Sequence, residues 1–467
     1  MAITFLAVFF CVLTALIRPI PASALTLSEE QKIGQKILEQ VRKQLPLVED
    51  GEILTYIRGV ANRVAKETGV TPYQYQFFVI DQSIPNAFAV PGGYIFMFRG
   101  LIEMMETEGE LAAIFAHELS HIHARHIHRQ IDDSKVLSVA SLAGMIGGIL
   151  LGGGAMGPAL ATGSMAAGAT MALRYSREHE MEADQLGFRF LCSAGYDPDD
   201  MVSIMHKMDQ MKWTGSSGIP NYLSTHPAMG ERVLYLDEMA KKYKATSPKP
   251  KKASASPGDF QLLQAALVAD YADRGKALDR FNAGITQGNK AAVFGLGRLY
   301  LRQDRCVEAA AQLQEAARQI QSPFVLSSLG AAYHRLGRLK EAQKTLQSAL
   351  VLDPSASIVH YRLALVLQDM GQRDEALDHL MKIVDLAPMF PEVDYQLGII
   401  LGQANRLGLA HYHLGRYYLY KQNPQLAIMH LKKAKALTLD SPAKIEEISE
   451  SLKNLEKDKK NWGLKLN

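Results

Sequence analysis

Two histidines four residues apart, His117 and His121, enclose Glu118 in the stretch Ile114-Phe-Ala-His-Glu-Leu-Ser-His-Ile122. The apolar residues around them predict a helix, on which positions i and i+4 lie one above the other, so both imidazoles can reach one ion. Glu118 projects from the next position round. There a carboxylate beside a bound water can take a proton as that water attacks a carbonyl. The combination points to zinc and hydrolysis. Three fixed residues in five also arise on any His-rich helix, and this one continues with His123, His126 and His128.

Catalytic zinc needs a third protein ligand and keeps its fourth position for water. The charged stretch Arg174-Tyr-Ser-Arg-Glu-His-Glu-Met-Glu-Ala-Asp184 supplies candidates. Glu180 and Asp184 share a helix face, with small Ala183 and Gly187 behind them. Glu180 can bind the metal while Asp184 accepts a hydrogen bond from the far ring nitrogen of a ligand histidine and fixes its tautomer. Glu178, His179 and Glu182 are the rivals, and a solvated charged helix is the plain alternative.

The elements that must position these residues come before and between them. Ser28 and Gln31 have capping-box spacing ahead of a helix with Ile33, Ile37, Leu38, Val41 and Leu45 on one face. A second amphipathic helix spans about 51–68. Two β-branched and aromatic runs, 75–80 and 94–98, predict a small sheet whose last strand approaches the metal helix. Between them, Asn86-Ala-Phe-Ala-Val-Pro-Gly-Gly93 suits either an edge that pairs with an extended peptide or an ordinary hairpin turn. A short helix is expected over 101–108, with Gly109 breaking it before the metal helix. Residues 136–173 contain no charge and a Gly-rich middle, which predicts a helical hairpin packed on the catalytic core, with insertion in a bilayer as the rival.

Together, His117-Glu118-x-x-His121, Ser176-Arg177, Glu180-x-x-Ala183-Asp184 and the Asn86-Ala-Phe...Pro91-Gly-Gly loop resemble the gluzincin-type zinc metallopeptidase family that includes HtpX and the CAAX prenyl proteases. Arg125-His126 matches that family's continuation of the metal helix. The resemblance implies one zinc ion per chain held by His117, His121 and Glu180, with Glu118 as general base. It places Asp184, Arg177 and His126 around the ligands and Asn86, Pro91 and Gly92 along the substrate. Metzincin spacing is not met, because Ala124 and Ile127 stand where that class needs Gly and His. The sequence Ser224-Thr-His-Pro-Ala-Met-Gly-Glu-Arg232 matches a further element of the family. His226 then either donates to the oxyanion of the tetrahedral intermediate, occupies the open zinc position and holds the enzyme off, or simply caps a helix. Arg232 either binds a peptide carboxylate or carbonyl, or forms a surface ion pair.

The rest of the chain sets the context. At 467 residues it exceeds one core, and a net charge of +3 with 48% apolar residues gives no nucleic-acid footprint. The apolar run before Ala22-Ser-Ala24 predicts a signal peptide over 1–24, with an uncleaved anchor as the alternative. A peptidase domain is expected over 25–240. Residues 241–258, rich in Lys, Ser and Pro, form the expected linker, a solvated tether by default, with peripheral membrane or polysaccharide contact through its lysines as the alternative. From 259 to 467 the pattern Leu-Gly...Tyr...Ala...Leu...Ala recurs at steps of 33 and 34, with an extra half-repeat from Pro391 to Gly402, as in tetratricopeptide repeats. The expected fold is therefore mainly α, a gluzincin domain with a small β-sheet followed by an all-α repeat solenoid. Such a layout is similar to a periplasmic branch of the family. It implies an exported zinc endopeptidase acting on misfolded or stalled outer-membrane proteins, its repeats binding substrate or the outer-membrane assembly machinery. The alternative is a chaperone or assembly scaffold with latent or incidental proteolysis. A membrane-embedded prenyl-protein protease is a third reading.

Overall fold

The computed structural model describes residues 26–134, 175–213, 221–246, 257–386, 391–437 and 441–458. The expected signal peptide and the uncharged segment 136–173 lie outside the described residues. The chain divides into two compact units, Met1–Val48 with Arg58–Ser254, and Glu49–Ile57 with Ala255–Asn467. No described helix is long and apolar enough to cross a membrane.

The first unit begins with α1 (Leu27–Gln44). Its cap is Thr26, not Ser28: the Thr26 side chain accepts from the Glu29 amide, and Glu29 returns a bond to the Thr26 amide at 2.9 Å. Thr26-Glu29 thus has the same three-residue spacing as the expected pair, two positions earlier. The apolar face of α1 packs Ile33, Ile37, Val41 and Leu45 onto Phe78, Ile80, Phe96 and Phe98 of the sheet. Each side chain so buried contributes about 1.5–3 kcal/mol relative to exposure. Helix α2 (Gly51–Ala65) begins in the second unit's segment and ends in the first.

The sheet contains β1 (Gln76–Ile80), β2 (Ala87–Val90) and β3 (Tyr94–Phe98) in the order β1-β3-β2. Strand β3 runs parallel to β1 and antiparallel to β2. This corrects the expected arrangement. The stretch between the two apolar runs is itself a strand, and the last strand is central, so β2 lies at one edge of the sheet and β1 at the other. Pro91-Gly92-Gly93 is the hairpin turn. Gly92 and Gly93 have φ of 86° and 92°, which side-chain-bearing residues rarely adopt. It is β2 that packs on the metal-motif helix.

After α3 (Arg99–Met104) comes α4 (Glu108–His123), whose first turn is capped by Thr107. Gly109 lies inside α4 and does not break it. A Cβ there would meet Asp200 Oδ2 at 1.8 Å, so glycine is kept for close packing. The unit continues through α5 (His126–Ser134), α6 (Arg177–Ser193), α7 (Pro198–Trp213), α8 (Asn221–Thr225) and α9 (Met229–Thr246). Helix α9 thus continues through Lys241–Thr246, where linker was expected. Cys192 and Cys306 are free thiols.

The second unit contains α10 (Pro257–Tyr271), α11 (Arg274–Thr286), α12 (Lys290–Arg302), α13 (Cys306–Gln319), α14 (Pro323–Arg335), α15 (Leu339–Leu352), α16 (Ser357–Asp369), α17 (Arg373–Leu386), α18 (Pro391–Gln403), α19 (Leu407–Tyr420), α20 (Pro424–Ala436) and α21 (Pro442–Asp458). One contact explains the repeat. A Cβ on Gly297, Gly330, Gly398 or Gly415 would meet the side chain of Leu313, Leu346, Leu414 or Leu431 at 2.7, 2.6, 2.6 and 2.5 Å. The glycine of one helix is the socket for a leucine sixteen residues on, in the next. The extra half-repeat follows directly. Helix α19 gives Leu414 to the socket on α18 and offers its own socket, Gly415, to α20, so one helix takes both roles. The segment 49–57 also belongs to this unit. Arg298, 4% exposed, binds Asp50 Oδ2 at 2.7 Å, Glu52 Oε2 at 2.5 Å and Asp270 Oδ2 at 2.7 Å.

Candidate metal centre

Helices α4 and α6 carry the site, and their sequences explain how closely they approach. Residues 109–122 of α4 are all buried, as expected of a central helix with apolar residues all round. On α6, Glu180, Ala183, Asp184 and Gly187 form one stripe and are buried. A Cβ at Gly187 would sit 3.1 Å from the backbone of Ala116 and His117, so a larger residue would push α6 off the histidines.

That approach brings four donors together. His117, His121, Glu180 and His226 each offer one ligand atom, all within 4.8 Å of one another. His121 Nε2 is 3.0 Å from His117 Nε2, which is 3.3 Å from His226 Nδ1. Glu180 Oε1 lies 3.0 Å from His226 Nδ1 and 3.5 Å from His121 Nε2. A tetrahedron with metal–ligand bonds of about 2.0–2.1 Å has edges of about 3.3 Å, so the donor set fits a tetrahedral ion of the zinc kind.

The charges fit as well. The carboxylates Glu118, Glu180 and Asp184, all buried, face a single buried guanidinium, that of Arg232. When all three are ionised, two positive charges are wanting, the charge of a divalent cation. Burial and then the charge of Glu180 push Glu118 up to about 8, and burial pushes Glu180 up to about 7 against the pull of Arg232 and His117. Burial holds all three histidines of the cluster below their usual range, leaving their nitrogens neutral and free to ligate. Neither carboxylate oxygen of Glu118 accepts a well-formed hydrogen bond, although the Ala89 amide of β2 pulls its pKa down and His226 Nε2 is 3.7 Å from Oε1. A buried acceptor left unmade costs about 1–3 kcal/mol or more, so its retention calls for a ligand.

The two metal-facing histidines of α4 are oriented differently. His117 Nδ1 lies 2.9 Å from Asp184 Oδ1, so its proton belongs on that nitrogen and its Nε2 faces the cluster. Burial raises Asp184, but Arg232 and His117 outweigh it and keep the carboxyl well below its usual range. His121 instead reaches a carboxylate through a second imidazole. Its Nδ1 is 2.9 Å from His126 Nδ1, and His126 Nε2 is 3.1 Å from Glu182 Oε2. Glu182, a rival ligand in the sequence, is occupied here and by Arg129.

Other candidates fall elsewhere. Arg232 is not a surface pair: it is 2% exposed, binds both oxygens of Asp184 at 2.7 Å and touches Glu180. Arg177 is mostly exposed and pairs with Glu231 at 3.2 Å, away from the ligands it was expected to support. Asn86 is buried, and its Oδ1 accepts from the Ala87 amide at the start of β2. Pro91 and Gly92 line a cavity that reaches His121, together with Glu30, Tyr73 and Arg125. His226 joins the donor cluster, placed by the bond from its amide to Tyr222 O and by the left-handed turn at Ala228.

Three tyrosines were not singled out in the sequence. Tyr235 donates to Asp184, Tyr175 stacks on His121 with centroids 3.8 Å apart, and Tyr222 stacks on His226 at 4.2 Å. Tyr235 lies three residues after Arg232 and Tyr222 four before His226. Helical spacing from residues already chosen marks both.

Comparison with known proteins agrees with this geometry. Residues 54–240 match peptidase family M48, residues 330–371 a TPR repeat family and residues 358–388 a tetratricopeptide repeat family. The chain is 27% identical over 369 residues to the beta-barrel assembly-enhancing protease of Escherichia coli (strain K12), covering 78% of this chain and 68% of that protein. It is 28% identical over 191 residues to a mitochondrial metalloendopeptidase of Schizosaccharomyces pombe, covering 39% and 52%. The solved repeat protein YrrB is similar over 41% of this chain and 96% of its own, at 21% identity and a TM-score of 0.30, too low to bear on function.

Proposed function

We infer that this chain, a metalloprotease with a peptidase family M48 domain followed by tetratricopeptide repeats, is an exported zinc endopeptidase whose metal is held by His117, His121 and Glu180. The carrying observation is the convergence of these donors beside Glu118, a buried carboxylate that accepts no well-formed hydrogen bond. Zinc at this position supplies Lewis-acid polarisation of the scissile carbonyl and lowers the pKa of a water. Glu118 accepts the proton of the attacking water and delivers it to the leaving amine. Asp184 holds the His117 tautomer, His126 and Glu182 hold that of His121, and Arg232 offsets the negative charge of Asp184 and Glu180. The substrate lies extended beside edge strand β2.

His226 is the fourth member of the donor cluster, which favours the reading in which it occupies the open position and holds the enzyme off. Cleavage then requires the turn at 226–228 to withdraw. Resemblance to the beta-barrel assembly-enhancing protease supports a periplasmic role on misfolded or stalled outer-membrane proteins, with the repeats binding substrate or assembly machinery. The same closed cluster keeps a second reading alive, a scaffold whose proteolysis is latent.

Three measurements test this. Metal analysis of the Glu180→Ala variant is expected to show lost zinc with the fold retained. Retained stoichiometric metal would reject the ligand set. In cells, Glu118→Gln is expected to abolish function, whereas full complementation by it would select the scaffold. His226→Ala is expected to raise peptidase activity, and a fall would assign His226 to the oxyanion.

A further inference from the structure

Outside the candidate active site, the repeats place histidines opposite one another at a fixed register. His360 Nδ1 on α16 lies 2.7 Å from His379 Nδ1 on α17, and His411 Nδ1 on α19 lies 2.9 Å from His430 Nδ1 on α20. Each pair is nineteen residues apart, four residues before the small socket residue and one before its leucine. Between them the same register carries Asp394 and His413, 2.7 Å apart. In the two preceding hairpins it carries Val293 with Gln312 and Leu326 with Thr345. The histidines are therefore no requirement of the repeat, whose packing is met there without them.

The first pair is oriented for more than a hydrogen bond. His360 is 4% exposed, and its Nε2 is 3.0 Å from the Pro354 carbonyl. A carbonyl only accepts, so the proton of a neutral His360 sits on Nε2 and its Nδ1 lone pair points at His379. This is the arrangement in which metal-ligating histidines are held, the far N–H fixed by a backbone carbonyl. His379 is half-buried, and in the metal-free chain its Nδ1–H donates to the Nδ1 of His360. A metal displaces that proton to Nε2, and the two Nδ1 lone pairs then converge on it. Burial first, then His360 and Lys382, hold His379 down to about 4, so the ring is neutral at ordinary pH. In the second pair, burial and Lys433 likewise hold both His411 and His430 below their usual range.

We propose that His360 with His379, and His411 with His430, are binding sites for a divalent ion of the zinc, copper and nickel class, each ion clasping the two helices of one hairpin. Imidazole suits these metals, and water completes the coordination. Opening each Nδ1 pair to about 3.3 Å, the edge expected around such an ion, takes a small ring rotation. This proposal is independent of the peptidase site. It adds two metal sites to the tetratricopeptide-repeat unit.

Zinc dialysed against the full-length chain at rising free concentration should fill one tight equivalent and then two weaker ones. His379→Gln or His430→Gln removes one weak equivalent, and the double variant removes both while the tight one stays. A double variant that binds as much zinc as the parent overturns the proposal. Circular dichroism establishes that the variants retain their helices. If they do not, anomalous scattering from zinc-soaked crystals of the unaltered protein decides: a peak between the paired rings is expected. Peaks elsewhere with none at either pair overturn it.

Discussion

Arg232 and Arg298 are both buried, and each is surrounded by three acidic side chains, yet the two clusters differ in what they leave undone. Around Arg298, Asp50, Glu52 and Asp270 each receive a guanidinium nitrogen at 2.5–2.7 Å, Arg362 adds a second cation 3.6 Å from Glu52, and Asp50 accepts two amides. Around Arg232, Asp184 is fully engaged and Glu180 is touched, while neither oxygen of Glu118 accepts a well-formed hydrogen bond. A buried arginine with acids is thus common to a structural knot and to a reaction site. The orphaned carboxylate beside converging imidazoles is what tells them apart.

The largest expected effect separates the clusters by chemistry. Glu118→Gln keeps the shape but removes the proton acceptor, and peptide cleavage should fall roughly 10²–10⁴-fold with zinc content unchanged. Activity within a few-fold of the parent would remove Glu118 from the reaction.

Arg232→Met and Arg298→Met should each destabilise by about 3–5 kcal/mol, because each strands buried carboxylates. Only the first should also weaken zinc binding, by roughly 10–100-fold, since only it supports a ligand's hydrogen-bond partner. Denaturant unfolding and metal competition measure the two separately. Equal metal affinities in both variants would erase the distinction.

Chelation sharpens the same contrast. Removing zinc held at a hundred times its dissociation constant should cost about 2.7 kcal/mol of stability. The loss should fall on the first unit and be visible as faster amide exchange in α4 and α6 but not in α12–α15.

The smallest effect concerns pH. Burial, then the charges of Asp50 and Glu52 against the pull of Arg298, raises Asp270 to about 6, above the value of about 3.9 expected when unfolded. The folded form therefore holds a proton that the unfolded form releases, and this group adds stability as pH falls from 6 toward 4. Asp270→Asn should flatten that part of the melting-temperature profile. Parallel profiles for variant and parent would place the proton elsewhere.

Much of the site was legible because its chemistry is written at helical spacing. His117, Glu118 and His121 share one turn, and Glu180, Ala183, Asp184 and Gly187 fall on one stripe. What escaped depended on tertiary approach. Arg232 reads as a surface charge until α9 is seen to bury it against Asp184, and Arg177, in a tempting position beside a motif, turns to Glu231 and solvent. The sheet order escaped for a related reason. A four-residue strand and a Pro-Gly-Gly turn read as one loop, because so short a run has no clear alternation. The repeats were legible in outline since small and large residues recur at a constant step. The salt knot of residues 49–57 was not, as it joins positions more than two hundred apart.

Helix α19 has a consequence for how such arrays lengthen. Because α19 is both plug and socket, this solenoid lengthens there by a single helix, whereas the sockets at Gly297 and Gly330 recur at the step of a hairpin. Inserting or deleting one such helix keeps the glycine–leucine fit at that joint while exchanging which side of the stack each later helix presents. The same building block can thereby display a different face to whatever docks on it.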